Sequence, residues 1–146
     1  MTPEELWKKA GLNGTYGIFE YGSDDPEELM RLTLKKIKQA TTGALRLYEM
    51  DHEPVPQEGE YYVIRDSAGN ARCVIRDTRI IICPFREVTE EMAAIEGEGD
   101  RSLQYWRDAH LNFFGREYAE QGLVFTEEEL VVFEQFEVVY PSEIDL

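Results

Sequence analysis

The chain has 146 residues, with 15 basic and 30 acidic side chains and two cysteines. This length predicts one domain with a self-sufficient core, because a chain of this size buries roughly 70% of its unfolded surface. No apolar run approaches the roughly 20 residues that cross a bilayer, and the acidic start lacks the features of a secretion signal. We therefore expect a cytoplasmic protein without membrane contact, whose Cys73 and Cys83 are reduced thiols.

The net charge of −15 disfavours binding to extended duplex nucleic acid, which is attracted mainly by clustered Lys and Arg. The charge is unevenly distributed, since residues 31–86 hold ten basic and seven acidic side chains. If this segment forms one surface, it predicts a mildly basic groove suited to a short strand or a single nucleoside. An acidic protein whose charges bind nothing specific is the alternative.

The first third of the chain predicts two helices. The first begins with Thr2 as its cap and ends at Gly11, where the helical pattern stops. Residues 16–21 are expected to be irregular. The second helix begins with Asp25 as its cap and is predicted to stop near Lys38.

From Ala44 onward the pattern is typical of strands, with a hairpin turn at residues 67–70. Residues 71–82 alternate as one strand that bends or bulges near Asp77. The later predicted elements are a short helix from Thr89, a long helix from Asp100 to Gly122 and a strand over residues 130–140. Together they predict an α+β fold: a small mixed sheet, curled into a β-barrel, with helices covering its ends and an N-terminal helical extension over residues 1–15.

The sequence lacks the residues that several common catalytic mechanisms require. The sequence contains no Cys-x-x-Cys, His-Glu-x-x-His, Gly-x-Ser-x-Gly or P-loop motif, so we expect no metal and no cofactor. Cys73 and Cys83 lie in apolar strand patterns and are expected to be inert. His110 lies four residues from both Trp106 and Phe114, a position more typical of a histidine at the edge of a core than of a base.

Two segments remain as candidates for chemistry. In the loop that starts at Glu96, acidic side chains alternate with glycine. Glu96 or Glu98 could donate a proton, or could accept a hydrogen bond from the amino group of a nucleobase. Lys38 and Thr41 lie three residues apart at a helix end, where a dehydrated ammonium with a lowered pKa could remove the Thr hydroxyl proton. The alternative is an ordinary basic helix terminus followed by the start of a strand.

These residues together resemble the ASCH family of the PUA-like superfamily, in particular its stand-alone bacterial members. The resemblance spans about residues 16–141. It rests on Asp25-Pro26, Lys38-x-x-Thr41, Pro56-x-x-Gly59, the block from Glu96-Gly97-Glu98-Gly99-Asp100 to His110, and Phe133-Glu134-x-Phe136.

The resemblance implies a β-barrel with a cleft that binds RNA or a modified nucleoside. In short bacterial members the activity is hydrolysis of the acetyl amide of N4-acetylcytidine, ascribed to a Lys, a Thr and a Glu that match Lys38, Thr41 and Glu96. The family usually has Gly where this chain has Lys36, two residues before that Lys.

The expected mechanism uses Lys38 as the base that activates Thr41, while a protonated Glu96 donates a proton to the departing amine. The residues expected to contact the ligand are Lys36, Arg46, Tyr48, Glu98, Arg101 and Trp106. A module that binds RNA or a metabolite without catalysis is the alternative, and a ribonuclease is the third. The sequence carries no expectation for the oligomeric state.

Overall fold

The computed structural model describes residues 1–22 and 25–141. In these residues the helices are α1 (Pro3–Lys9), α2 (Pro26–Leu34), α3 (Leu45–Met50), α4 (Glu90–Glu96) and α5 (Leu103–Glu120). The strands are β1 (Gly17–Glu20), β2 (Ala40–Ala44), β3 (Tyr61–Arg65), β4 (Ala71–Pro84) and β5 (Leu130–Tyr140), and a 3-10 turn covers Phe85–Glu87. None of the described helices is long and apolar enough to cross a membrane.

The strands form one five-stranded sheet in the order β1-β3-β4-β5-β2. β1 pairs with β3 in parallel, and the other neighbours are antiparallel. The sheet curls into a half-barrel, which confirms the predicted α+β class. The expected irregularity near Asp77 is also confirmed, because the register between β4 and β5 shifts between Asp77 and Arg79.

Three predictions in the first half of the chain were wrong. The segment expected to be irregular contains β1, whose residues alternate only between half-buried and exposed, so the strand pattern is weak. The strand predicted from Ala44 is instead the end of β2, because residues 45–50 form α3. α2 ends at Leu34, before the expected Lys38, because Lys36 adopts a left-handed φ of 63° that a helix does not tolerate.

Apolar side chains pack on both faces of the sheet. One cluster, which we call the helix-side core, lies under α4 and α5 and contains Ala40, Ala44, Phe85, Val88, Met92, Ala93, Trp106, Phe114, Tyr118, Val131 and Phe133. A second core contains Tyr21, Met30, Leu34, Ile64, Cys73, Ile75 and Phe136. A smaller third cluster packs α1 against β3 and β4 through Leu6, Trp7, Val63, Ala71 and Val74.

The pleat of β2 separates two neighbouring threonines. Thr42 lies opposite Phe133 of β5, and Thr41 lies opposite Glu134. Directly opposed residues of an antiparallel pair share one face of the sheet. Thr42 therefore faces the helix-side core, and Thr41 faces the other side of the sheet.

Two acids are buried beside one another inside the half-barrel. Asp77 is fully buried and Glu134 almost so. Burial, reinforced by the neighbouring Glu134 and by Glu60, raises the pKa of Asp77 from 3.8 to about 10. Burial also raises the pKa of Glu134. Asp77 is therefore protonated in the folded protein at neutral pH.

The protonated Asp77 predicts a pH dependence of stability. Above pH 4 the unfolded chain ionises Asp77 while the folded protein does not, so this residue lowers the free energy of unfolding as pH rises toward 10. We expect Asp77→Asn to be more stable than the wild type by about 1–3 kcal/mol at pH 8, but not at pH 4. Urea unfolding at both pH values measures the difference.

The matched control is Asp66→Asn, since backbone N–H groups, chiefly that of Asn70, hold the pKa of Asp66 below its usual value. This control is expected to lose stability at pH 8. A wild-type protein as stable as Asp77→Asn at pH 8 would contradict the buried protonated acid.

One glycine brings the end of α4 against the turn after α2. Gly97 ends α4 with a φ of 72°, and a Cβ at this position would collide with the carbonyl oxygen of Ile37. The same contact region is fixed by the Gln39 N–H, which donates to the carbonyl oxygen of Ile95 at 2.9 Å. These contacts fix the backbone of Lys38 relative to that of Glu96.

Replacing Gly97 tests how tightly this contact is packed. Gly122 has the same φ of 72°, but a methyl group added there would meet no atom within 4 Å, so Gly122→Ala carries only the left-handed strain of about 1–2 kcal/mol. Gly97→Ala is expected to lose about 1–3 kcal/mol more in chemical unfolding. Equal losses in the two variants would refute the close contact with Ile37.

Candidate functional site

A cavity of about 510 Å³ lies at the opening between the two edge strands of the half-barrel. β1 and β2 supply its walls, and residues of α2, α3 and α5 complete them. The lining includes the ionisable side chains Glu20, Asp25, Glu28, Lys38, Glu98, His110 and Arg116, together with Phe19, Leu29, Thr41, Thr42, Tyr48, Tyr105 and Phe113. The cavity therefore combines apolar walls with several ionisable groups.

Lys38 is the most deeply buried charged group of the cavity, with 1% of its side chain exposed. Its Nζ donates to the carbonyl oxygen of Ala40 at 2.7 Å and to Oε2 of Glu98 at 2.9 Å. It also lies 3.5 Å from Oε2 of Glu96 and 5.6 Å from the ring centroid of Tyr21. Two carboxylates, a carbonyl and an aromatic ring thus surround the ammonium.

Glu96 connects Lys38 to two further groups. The hydroxyl of Thr42 donates a hydrogen bond to Oε1 of Glu96. His110 Nε2 lies 3.4 Å from Oε2, and His110 Nδ1 lies 2.8 Å from the carbonyl oxygen of Trp106. The Glu96 side chain is 1% exposed and lies behind the cavity wall, whereas Thr42 and His110 line the cavity.

These contacts set the protonation states. Burial favours neutral Lys38, but the negative charges of Glu96 and Glu98 outweigh it and raise the pKa of Lys38 above its usual value. Burial likewise favours neutral Glu96, but Lys38 and His110 bring its pKa below the usual range. For His110, Glu96 outweighs burial and raises the pKa. The site therefore holds a charged lysine beside a charged carboxylate.

The expected mechanism assigned the opposite states to two of these groups. It required a lowered pKa at Lys38 and a protonated Glu96. The contacts favour the charged form of both groups instead, because each stabilises the charge of the other. Glu96 is a proton acceptor and Lys38 a hydrogen-bond donor in this state.

The acids and the histidine are close enough to hold a metal ion. One ligand atom from each of Glu96, Glu98 and His110 lies within 4.8 Å of the others. Lys38, however, already contacts both carboxylates. The ammonium therefore occupies the place of a cation, and a metal would have to displace it.

Three of the residues expected at the site line the cavity, in addition to Lys38: Thr41, Tyr48 and Glu98. Glu96 contacts Lys38 but does not line the cavity. Thr41 does not share the side of β2 that faces Glu96, because the pleat turns it toward Glu134. The structure therefore joins Lys38 with both acids and with Thr42.

The other expected ligand contacts do not line the cavity. Arg46 pairs with Glu129 at 3.2 Å. Trp106 is 3% exposed and stacks between Phe85 and His110. Lys36 and Arg101, both in left-handed backbone, also lie outside the lining.

The mildly basic groove expected from residues 31–86 is not found at the cavity. Of the ten basic residues of that segment, all within the described part of the chain, only Lys38 lines it. Arg31 pairs with Glu28, and Arg72 with Asp66. Acidic side chains therefore pair with several of these cations, and their charges are not gathered at the cavity.

Sequence reasoning missed Thr42 and His110. Thr42 was not identified because sequence spacing does not show which of two adjacent strand residues, Thr41 or Thr42, faces the helices. His110 follows Trp106 by one helical turn, so the pattern indicated a core position, and its approach to Glu96 comes only from the packing of α5 on α4.

The model of the ASCH domain family matches residues 17–140. A solved ASCH domain structure from Lactobacillus crispatus JV V101 is 31% identical, with 94% of this chain and 93% of that chain covered and a TM-score of 0.86. A solved Enterococcus faecalis V583 protein of the family DUF984 is 30% identical, with 92% of this chain and 83% of that chain covered and a TM-score of 0.81. No curated protein matches the chain.

The family match covers most of the chain, and the half-barrel agrees with that of the solved ASCH domains. The protein belongs to the ASCH domain family and has its PUA-like fold.

Proposed function

We propose that the cavity binds a modified nucleoside and hydrolyses an amide of the N4-acetylcytidine type. The observation that carries this proposal is a buried ammonium beside two carboxylates, one of which accepts a hydrogen bond from the Thr42 hydroxyl, at the wall of one cavity. The ASCH family's PUA-like fold is consistent with binding of RNA or nucleosides, which supports this substrate class.

The size and walls of the cavity suit a nucleoside. Its volume of about 510 Å³ falls within the roughly 300–1,000 Å³ of small-molecule sites, and its lining mixes aromatic and polar groups. Tyr48 and Phe113 supply faces for stacking a base.

The charge of the lining favours a ligand without phosphates. The lining holds four acidic side chains, Glu20, Asp25, Glu28 and Glu98, and three basic ones, Lys38, His110 and Arg116. Lys38 is already neutralised by its two carboxylates. The lining offers a polyanion no excess of positive charge, so a free nucleoside fits better than a long RNA.

The groups present supply the parts of amide hydrolysis. The Lys38 ammonium can donate to the carbonyl oxygen as negative charge develops on it. A threonine hydroxyl is the nucleophile, and a carboxylate accepts its proton. This assignment keeps the Lys, Thr and Glu set expected from the sequence, with the roles of Lys38 and Glu96 exchanged to match their charges.

The direct test is incubation with N4-acetylcytidine, with cytidine release followed by chromatography. We expect release by the wild type and a loss of at least about 100-fold in kcat/KM for Lys38→Ala and for Glu96→Gln. Lys38→Ala removes the positive charge that stabilises the carbonyl oxygen, and Glu96→Gln removes the carboxylate that accepts the hydroxyl proton. Lys8→Ala, on the exposed face of α1, is the matched control and should retain the wild-type rate. Circular dichroism verifies that each variant is folded.

Two outcomes would contradict the proposal. Full activity in folded Lys38→Ala would remove the lysine from the mechanism. No release by the folded wild type, together with saturable binding of the nucleoside or of a short RNA, would indicate a binding module without catalysis.

A further inference from the structure

We propose that Thr42 and Glu96 form a nucleophile and base relay, positioned by His110, in which Thr42 rather than Thr41 accepts the acyl group. This inference rests on the proposed amide hydrolysis and names the residue that becomes covalently modified. It also predicts acyl transfer from a simple activated ester, which is independent of nucleoside recognition.

The geometry of β2 selects Thr42. Because neighbouring residues of a strand point to opposite faces, only one of the two threonines can face α4. The register with β5 turns Thr42 to that side, where its hydroxyl bonds to Glu96. Thr41 lies opposite Glu134, on the face of the strand turned away from Glu96.

Thr42 is also the member of the pair that has a base behind it and the cavity in front. Its side chain lines the cavity, and Glu96 lies behind the wall with 1% of its side chain exposed. A nucleophile needs this arrangement, because the base must reach the hydroxyl proton without blocking the substrate. Glu96 is held in place through its other oxygen by Lys38 and His110.

The two ring nitrogens of His110 each face an acceptor. Nδ1 lies 2.8 Å from the Trp106 carbonyl oxygen, and Nε2 lies 3.4 Å from Oε2 of Glu96. A neutral imidazole has only one N–H, so the imidazolium is the form that satisfies both contacts. The ring stacks on Trp106 with 4.1 Å between centroids, and this packing fixes the orientation of Nε2 toward Glu96.

In the first step, the Thr42 oxygen attacks the acetyl carbonyl carbon, and its proton passes to the Glu96 carboxylate. The C–N bond breaks, and the amine nitrogen takes the proton from Glu96, leaving an acetyl ester on Thr42.

In the second step, water attacks the ester carbonyl carbon and gives one proton to Glu96. The ester bond to Thr42 breaks, acetic acid leaves, and the Thr42 oxygen takes back the proton. The sum is one amide and one water converted to one amine and one acetic acid, with no oxidant or reductant.

The experiment treats the full-length protein with p-nitrophenyl acetate, quenches it with acid and maps the acetyl group by peptide mass spectrometry. We expect an ester-linked acetyl group on Thr42 in the wild type. Thr42→Val should lose acyl transfer by about 100-fold or more, measured by nitrophenolate release. Thr78→Val, at an exposed strand threonine outside the cavity lining, is the matched control and should behave as the wild type.

Each outcome supports or overturns the relay. An acetyl ester on Thr41 in the wild type, an unchanged rate in folded Thr42→Val, or no ester on any threonine would overturn it. Thr41→Val should still carry the acetyl group on Thr42, and its loss there would also count against the relay. Acylation of Thr42 by the ester without hydrolysis of N4-acetylcytidine would instead refute the proposed substrate and leave the relay standing.

Discussion

The site depends on one buried ion cluster, in which the Lys38 ammonium lies between Glu96 and Glu98. Removing a lysine from water is costly unless carboxylates and further hydrogen bonds compensate for it. The two acids and the Ala40 carbonyl supply that compensation. In turn, Lys38 and His110 keep Glu96 ionised despite its burial, so no member of the cluster can be removed without leaving an uncompensated charge.

The backbone conformation around the ion cluster brings its members together. α2 ends before the lysine, the chain turns through a left-handed Lys36, and Gly97 permits α4 to end directly against this turn. Two segments 60 residues apart in sequence, around Lys38 and Glu98, are thereby brought within hydrogen-bond distance. The cavity opens beside this junction because β1 and β2 are the edges of a half-barrel that does not close with hydrogen bonds.

The sequence predicted the parts of this structure that depend on local pattern. Caps at Thr2 and Asp25, the alternation along β4 and the long α5 all indicated correct elements. β2 was predicted only as the alternative for the segment after Lys38, because Ala and Gly carry little strand signal and its pairing with β5 comes from the tertiary fold. The structure places the candidate residues Lys38 and Glu96 side by side, but their pKa values shift in the directions opposite to those expected, because protonation depends on neighbours that sequence spacing does not reveal.

The most direct test of the account is the titration of the His110 ring, followed by NMR in the wild type and in Glu96→Gln. If the cluster carries an ionised Glu96, the folded wild type keeps His110 protonated above the usual pKa of 6.5, and Glu96→Gln shifts the ring pKa downward. The corresponding stability, present at low pH, is lost as pH rises through the folded-state pKa. A wild-type ring pKa below 6.5, unchanged by the substitution, would contradict the charged cluster on which the account depends.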